Sequence, residues 1–341
     1  MNYVSGEGYE VGETLFSTDI KLSPCSDFKN FTIFRAYCRK FNEIDIKQIK
    51  IDDDDCGFLI PSFSLLSQDH DYSSKGNFQV FSDAIIKWHL SNLDTENLKS
   101  EVPLDSFFNE NLGFIAISNR NYSNSKDKER KIFFELINAG IYVDILHKSP
   151  SFYTENPLFP NKNLPSTKRI TFKTTSNKAI LDEFICDIFN SIIFNETDHF
   201  LQFFYLYQVV ETLIEFVMSQ EYSKVMTKIN DLGGGVSTQQ LKKLVETLNE
   251  SVQERKRINK LCNEYTDTYN DSFNIQQSLF DFIKQNLNSD FEVNNDIGSC
   301  IYEIRNKSFH EFRTLRNATK LSSITPHVFD YILHLITSYK H

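Results

Sequence analysis

From about Asn177 to the end of the chain, apolar residues recur at three- and four-residue spacing and no convincing strand interrupts them. Ile180, Phe184, Ile188 and Ile192 mark the first such stripe. That period belongs to helices burying one face. A second helix is expected from Asp198 to about Gln220, before Gly233, Gly234 and Gly235 break the chain. Ser237 and Gln240 then form a Ser-x-x-Gln capping box, which opens a third helix reaching about Cys262. A fourth is expected over Asn274–Asn288 and a fifth over about Asn294–Arg316. A sixth runs from Thr325, with Pro326 in its first turn, to Tyr339. Six helices without a strand predict an all-α bundle over residues 177–341.

Residues 1–176 have another texture. Phe58–Ile60, Gly113–Ser118, Ile141–Leu146 and Arg169–Thr174 are short, β-branched and aromatic, and read as strands. Ser82–Leu93 and Lys128–Ala139 have helical spacing, the second stopping at Gly140, while Phe28–Phe41 fits either type. Asn119–Asp127 is rich in Asn and Ser and reads as a loop. Ser149–Lys168 holds Pro150, Pro157, Pro160 and Pro165 and reads as a long irregular connection. The expected class is therefore multidomain, an α+β domain over 1–176 followed by the helical bundle.

Bulk properties agree with two domains: the chain has 341 residues, 40 % of them hydrophobic. The formal net charge is −10, which excludes a general polyanion binder and confines any nucleic-acid contact to a local basic patch. Cys25, Cys38, Cys56, Cys186, Cys262 and Cys300 are scattered without zinc or redox spacing, which suits a reducing, cytoplasmic setting. Met1–Asp19 carries Glu7, Glu10, Glu13 and Asp19 and no apolar run, so no signal peptide is expected there. Phe200–Met218, the most apolar stretch, is interrupted by Gln202, Gln208, Glu211 and Glu215. It reads as a buried helix, too polar and too short to span a membrane.

The fifth helix carries Ile301-Tyr302-Glu303-Ile304-Arg305-Asn306-Lys307-Ser308-Phe309-His310. Its Arg-Asn-x-x-x-His core resembles the signature of the HEPN family, an Arg followed by four to six residues and His, often with a polar residue directly after the Arg. It falls on a late helix of a helical bundle, with one helix after it. The run Leu206-Tyr207-Gln208-Val209-Val210-Glu211-Thr212-Leu213-Ile214-Glu215 also looks like the long aromatic helix of the Apea-like HEPN domains of bacterial defence proteins. The resemblance covers about residues 177–341. It implies a metal-independent endoribonuclease, antiphage or toxin-like, with Arg305, Asn306 and His310 as catalytic residues and no cofactor. It also implies a homodimer through the helical domain, with two motifs facing one cleft. Some HEPN domains are inactive and only bind or dimerise, so a non-catalytic binding or scaffold module is the alternative.

The residue types suit that chemistry. RNA carries its own nucleophile, the 2′-hydroxyl. A His moves protons near neutral pH, and an Arg grips phosphate oxygens in bidentate fashion. Asn306 and His310 are four apart and share a helix face, so the amide can orient the imidazole. Arg305 lies roughly 140° around the helix from His310 and must reach back.

Other features have two readings. Gln208, Glu211 and Glu215 form a polar stripe from which Glu211 or Glu215 can pair with Arg305, or which faces solvent or a neighbouring helix. Arg255, Lys256, Arg257 and Lys260, with Lys242 and Lys243 earlier on the same helix, are a basic patch for an RNA backbone, tRNA included, or a solvated face. Asp52–Asp55 lacks the ligand spacing of a calcium loop, and the triple glycine lacks the Lys of a phosphate loop. No metal site is expected. Residues 1–176 are a candidate sensor, binding a ligand or a regulatory protein.

Overall fold

The computed structural model describes residues 2–4, 8–18, 22–42, 45–93, 98, 100–120, 126–144, 158, 164, 167–172, 177–232, 237–292, 296–310 and 321–340, with backbone alone at 2–4, 126–129, 232, 241, 247–252 and 310. The chain divides into two compact units, Met1–Thr175 and Ser176–His341. Most of the Ser149–Lys168 connection, the triple glycine, Ile145–Leu146, Lys173–Thr174 and the end of the expected fifth helix lie outside the described residues.

The first unit holds two sheets. Strands β1 (Asn2–Val4), β2 (Gly8–Val11), β3 (Thr14–Ser17) and β7 (Glu101–Pro103) form one, in that order, with β3 and β7 parallel. The larger sheet has the order β10-β5-β6-β8-β4-β9. Its strands are β4 (Phe31–Tyr37), β5 (Lys47–Ile51), β6 (Asp54–Pro61), β8 (Leu112–Ser118), β9 (Tyr142–Val143) and β10 (Arg169–Phe172). β10 runs parallel to β5, and the other pairs are antiparallel. Leu112–Ile117 is buried without interruption, as expected for a strand covered on both faces. Helix α1 (Gly76–Ser91) packs on β4, β6 and β8, with Phe78 and Phe81 edge-on to Phe58.

Helix α2 (Lys126–Asn138) stops at Gly140, whose φ of 80° is one that L side chains rarely adopt. The Gly140 N–H donates to Ile137 O at 2.9 Å and the Ile141 N–H to Leu136 O at 2.8 Å, the paired bonds of a Schellman stop. Three strand regions escape the sequence pattern. β1–β3 and β7 are only three or four residues each. β5 places Lys47 at an inward position beside Ile49 and Ile51, where an apolar residue would have signalled a strand. Its ammonium is 3.6 Å from Asp45. Phe28–Phe41 resolves into a 3₁₀ turn, Phe28–Asn30, followed by β4.

The second unit is helical: α3 (Lys178–Leu181), α4 (Glu183–Asp187) running into a π turn over Ile188–Ile192, α5 (His199–Leu232), α6 (Thr238–Val252), α7 (Glu254–Asn263), α8 (Ser272–Asn286), α9 (Ile297–His310) and α10 (Thr325–Ser338). The first expected stripe is broken at Asp182, which is extended and caps α4 by accepting from Ile185 N at 3.0 Å. Phe184 consequently does not follow Ile180 inward and is exposed. The capping box forms, with Ser237 N donating to Gln240 Oε1 at 2.9 Å and Gln240 N donating to Ser237 Oγ at 3.3 Å. The single third helix becomes two, because Gln253 is extended.

Helix α5 reaches 34 residues, well beyond Gln220. By length and composition it could cross a membrane, contrary to the reading of Phe200–Met218 as too short and too polar. Half of its most apolar window is buried inside this unit, against α7 and α10 among others.

His89 of α1 is buried between Phe108 and Phe114, and neither ring nitrogen has a hydrogen-bond partner among the described residues. Burial, with a smaller push from Arg35, lowers its pKa from 6.5 to about 4. The unfolded chain therefore binds the proton first, and stability falls as pH drops from about 6.5 towards 4. Urea titrations at pH 7.5 and 4.5 should show a loss that His89→Phe abolishes, on the order of 2–3 kcal/mol. An unchanged pH dependence in His89→Phe would reject a buried neutral imidazole.

Candidate functional site

Arg305 sits in the last turns of α9, where α9 packs on α7 and α8, and its guanidinium crosses to α5. Nη2 donates to Glu211 Oε1 at 3.3 Å, and Nη1 donates to Asn306 Oδ1 at 3.0 Å. The guanidinium carbon stands 5.2 Å from the centre of the Tyr207 ring and 5.1 Å from that of Phe309. Arg305 is thus fixed by a carboxylate, an amide and two rings while its side chain stays 29 % exposed. Gln208 Nε2 holds the other Glu211 oxygen at 2.7 Å.

Helix geometry explains why Glu211 is the partner. On α5 the buried residues Val209, Leu213, Leu206, Val217, Val210, Phe203, Ile214 and Tyr207 span a stripe of roughly 160° at 100° per residue. Glu211 falls about 40° past the Tyr207 edge of that stripe, and Glu215 about 40° further round. Glu211 is half-buried, and Glu215 is exposed.

Asn306 is half-buried, and its Oδ1 is taken by Arg305. The carboxamide nitrogen is the atom that remains to meet an imidazole. α9 runs through His310, whose side chain lies outside the described residues. Arg305 shares its helix face with Phe309, four residues on, and meets the face of Asn306 and His310 only by bending back to Asn306. The Phe309 ring is 45 % exposed and 5.6 Å from Phe204. Tyr207 donates its hydroxyl to Glu254 Oε1 at 2.5 Å, and burial followed by that carboxylate raises its pKa far above the usual phenol range.

The basic patch divides. Arg255 and Lys256 are exposed, whereas Arg257 and Lys260 turn to α5. Arg257 Nη1 reaches Met218 Sδ at 3.5 Å, and Lys260 binds Glu221 Oε2. Lys242 and Lys243 are exposed on the separate helix α6.

Glu221 escaped the sequence reading. On α5 it falls in phase with Phe203, inside the buried stripe, which a helical wheel would have flagged. Tyr265 donates to its Oε1 at 2.6 Å, and Lys224 at 2.9 Å. Burial opposes its ionisation, but hydrogen bonds from Lys260, Tyr265 and Lys224 outweigh that and hold the carboxyl at about 2. Tyr207 and Phe309, the rings around Arg305, were also not singled out, although each stands four residues from a site residue.

Among the described residues no three His, Cys, Asp or Glu side chains gather as a metal site. Asp52 and Asp53 form the turn between β5 and β6, and Asp54 and Asp55 open β6, with Lys50 Nζ 3.2 Å from Asp55. His334 Nε2 meets Asp267 O at 2.7 Å. No family model matches the chain, and neither does any curated protein or solved structure.

Glu221→Gln should lower the stability of the helical unit by about 1–3 kcal/mol at pH 7, since two ammonium groups lose their carboxylate. The wild-type contribution is present above the unfolded carboxylate range and is lost as pH falls towards 2. A denaturation midpoint unchanged in Glu221→Gln would show that the cluster is not holding α7 to α5.

Proposed function

We propose that residues 177–341 are an HEPN-type, metal-independent endoribonuclease, acting in a cytoplasmic antiphage or toxin-like setting. The 2′-hydroxyl of the substrate RNA attacks the adjacent phosphorus, His310 transfers the protons, and Arg305 neutralises charge on the phosphorane oxygens. Asn306 orients the imidazole through its remaining amide N–H groups. Arg255 and Lys256 contribute to holding the RNA backbone. Residues 1–176 act as the sensing or regulatory part. The observation that carries this reading is the held, partly open guanidinium of Arg305, on the helix that also bears Asn306 and His310.

One chain offers a single cation and a single proton carrier on α9. A two-fold axis beside α9 would supply a second set, because an isologous contact brings the same patch together twice. The exposed ring of Phe309, with Phe204 and Phe200 around it, supports a homodimer contact there.

A second reading, a non-catalytic HEPN binding or dimerisation module, is favoured by a specific observation. Arg305 is already engaged by Glu211 and flanked by Tyr207 and Phe309, which is how a purely structural arginine is held.

Total RNA incubated with the protein in EDTA separates the two. The enzyme should leave cyclic 2′,3′-phosphate and 5′-hydroxyl ends. His310→Ala should then slow cleavage by about 10²–10⁴-fold with an unchanged melting temperature. Intact RNA at high protein concentration favours the module. Mixed Arg305→Ala and His310→Ala chains should regain part of the activity if each protomer supplies different groups. No recovery in verified heterodimers would reject a shared site.

A further inference from the structure

The sheet unit holds a hollow of about 830 Å³ beside the start of α1 and strand β10, which the proposed RNA chemistry does not use. That volume lies within the range of small-molecule sites, about 300–1,000 Å³. The buried rings of Phe58 and Phe78 form its floor, and the half-buried Tyr72 packs on both, with centroids 5.7 and 6.0 Å away. Lys75, Lys168 and Arg169 line it and are all exposed. No carboxylate is among the described residues that line it, in a chain of net charge −10. Asp45, Asp69 and Asp71 line an adjoining hollow that shares Tyr72 and Lys168 with this one. Lys47, whose ammonium is 3.6 Å from Asp45, lines that second hollow as well.

Two local details favour an anion here. Lys168 Nζ is 2.5 Å from Asp71, but both side chains are more than 70 % exposed. Such a pair contributes little, so the ammonium can exchange Asp71 for a phosphate oxygen at small cost. Lys75 is the N-cap of the 16-residue α1 and adds no side-chain hydrogen bond to it, so its ammonium is not committed to capping the helix beside the hollow. The Lys75 ammonium stands 4.4 Å over the ring of Tyr72, which is half-buried where Phe58 and Phe78 are buried. The amides of Gln48 and Asn77 add donors and acceptors.

We propose that this hollow binds a free purine nucleoside diphosphate or a close relative, its phosphates against Lys75, Lys168 and Arg169 and its base beside Tyr72. The test is isothermal titration of the full chain with ADP and with GDP, with no RNA present, so its outcome is independent of whether the helical unit cuts RNA. One of the two should saturate at one equivalent. Lys168→Gln should weaken it at least about tenfold, and Lys168→Gln with Arg169→Gln further still. Pyrophosphate and the free nucleoside should each bind at least about tenfold more weakly than the whole nucleotide. Amine acetylation read by mass spectrometry supplies a measurement that needs no variant: bound nucleotide should protect Lys75 and Lys168. No saturable heat with either nucleotide at about 1 mM, undiminished binding by the folded double variant, or unprotected lysines would overturn the proposal. Pyrophosphate matching the nucleotide would remove the base from it.

Discussion

Phe203, Val210, Leu213, Ile214 and Val217 must leave water together, because they stand on one side of a single long helix. Burying that stripe of α5 brings α7 and α10 against it, together with the turns that precede it and that precede α10. Each carboxylate that α5 supplies is then set by its angle from the stripe. Glu211 lies at the margin and meets a guanidinium from α9. Glu221 lies inside the stripe and survives as a carboxylate because Lys260, Lys224 and Tyr265 reach it. The same burial places Tyr207 under Arg305 and against Glu254, so the ring stack and the ion pair share one scaffold.

Under the proposed function Arg305 faces two demands that pull apart. A catalytic cation needs its N–H groups available to a phosphate, whereas a structural one is best fully paired. Here the pairing to Glu211 is long for a charged pair, at 3.3 Å, and both side chains are about one third exposed. In the proposed reaction the phosphorane, with more charge than a carboxylate, would compete for that guanidinium under such conditions. The Phe309 contact leaves the guanidinium N–H groups unoccupied, since a cation–π contact does not use one.

In the sheet unit the organising feature is the fully buried β8 between β4 and β6. With the centre of the sheet closed, chemistry is left to its margins. The hollow with Lys168 and Arg169 lies at β10, the edge strand, and at the opening turn of α1. Deeper in the unit Asp83 of α1 is buried but satisfied, accepting from Tyr9 at 2.7 Å and Cys25 N at 2.8 Å and pairing with Lys87 at 2.8 Å. Burial, then Asp83, pushes the Cys25 thiol up to about 12, so that cysteine is inert.

By itself the sequence determined whatever depends on neighbours along the chain. The helical period from Asn177 onward, the Ser237–Gln240 capping box, the stop at Gly140 and Pro326 in the first turn of α10 are local, because capping, φ preference and 3.6-residue spacing act within a few residues. Arg305 and Asn306 sharing a helix with His310 was legible for the same reason. The choice of Glu211 over Glu215, the rings of Tyr207 and Phe309 on Arg305, the capture of Lys260 by Glu221 and the bend at Gln253 were not. These depend on the angle at which separate helices meet, and on which side chain the shared apolar stripe leaves at its margin. Strand β5 shows the converse limit: Lys47 spoils the local alternation, and only pairing with β6 and β10 makes those residues a strand. The basic hollow belongs to tertiary structure as well, since Lys75 and Lys168 lie far apart in sequence and meet only because β10 returns to the sheet beside the first turn of α1.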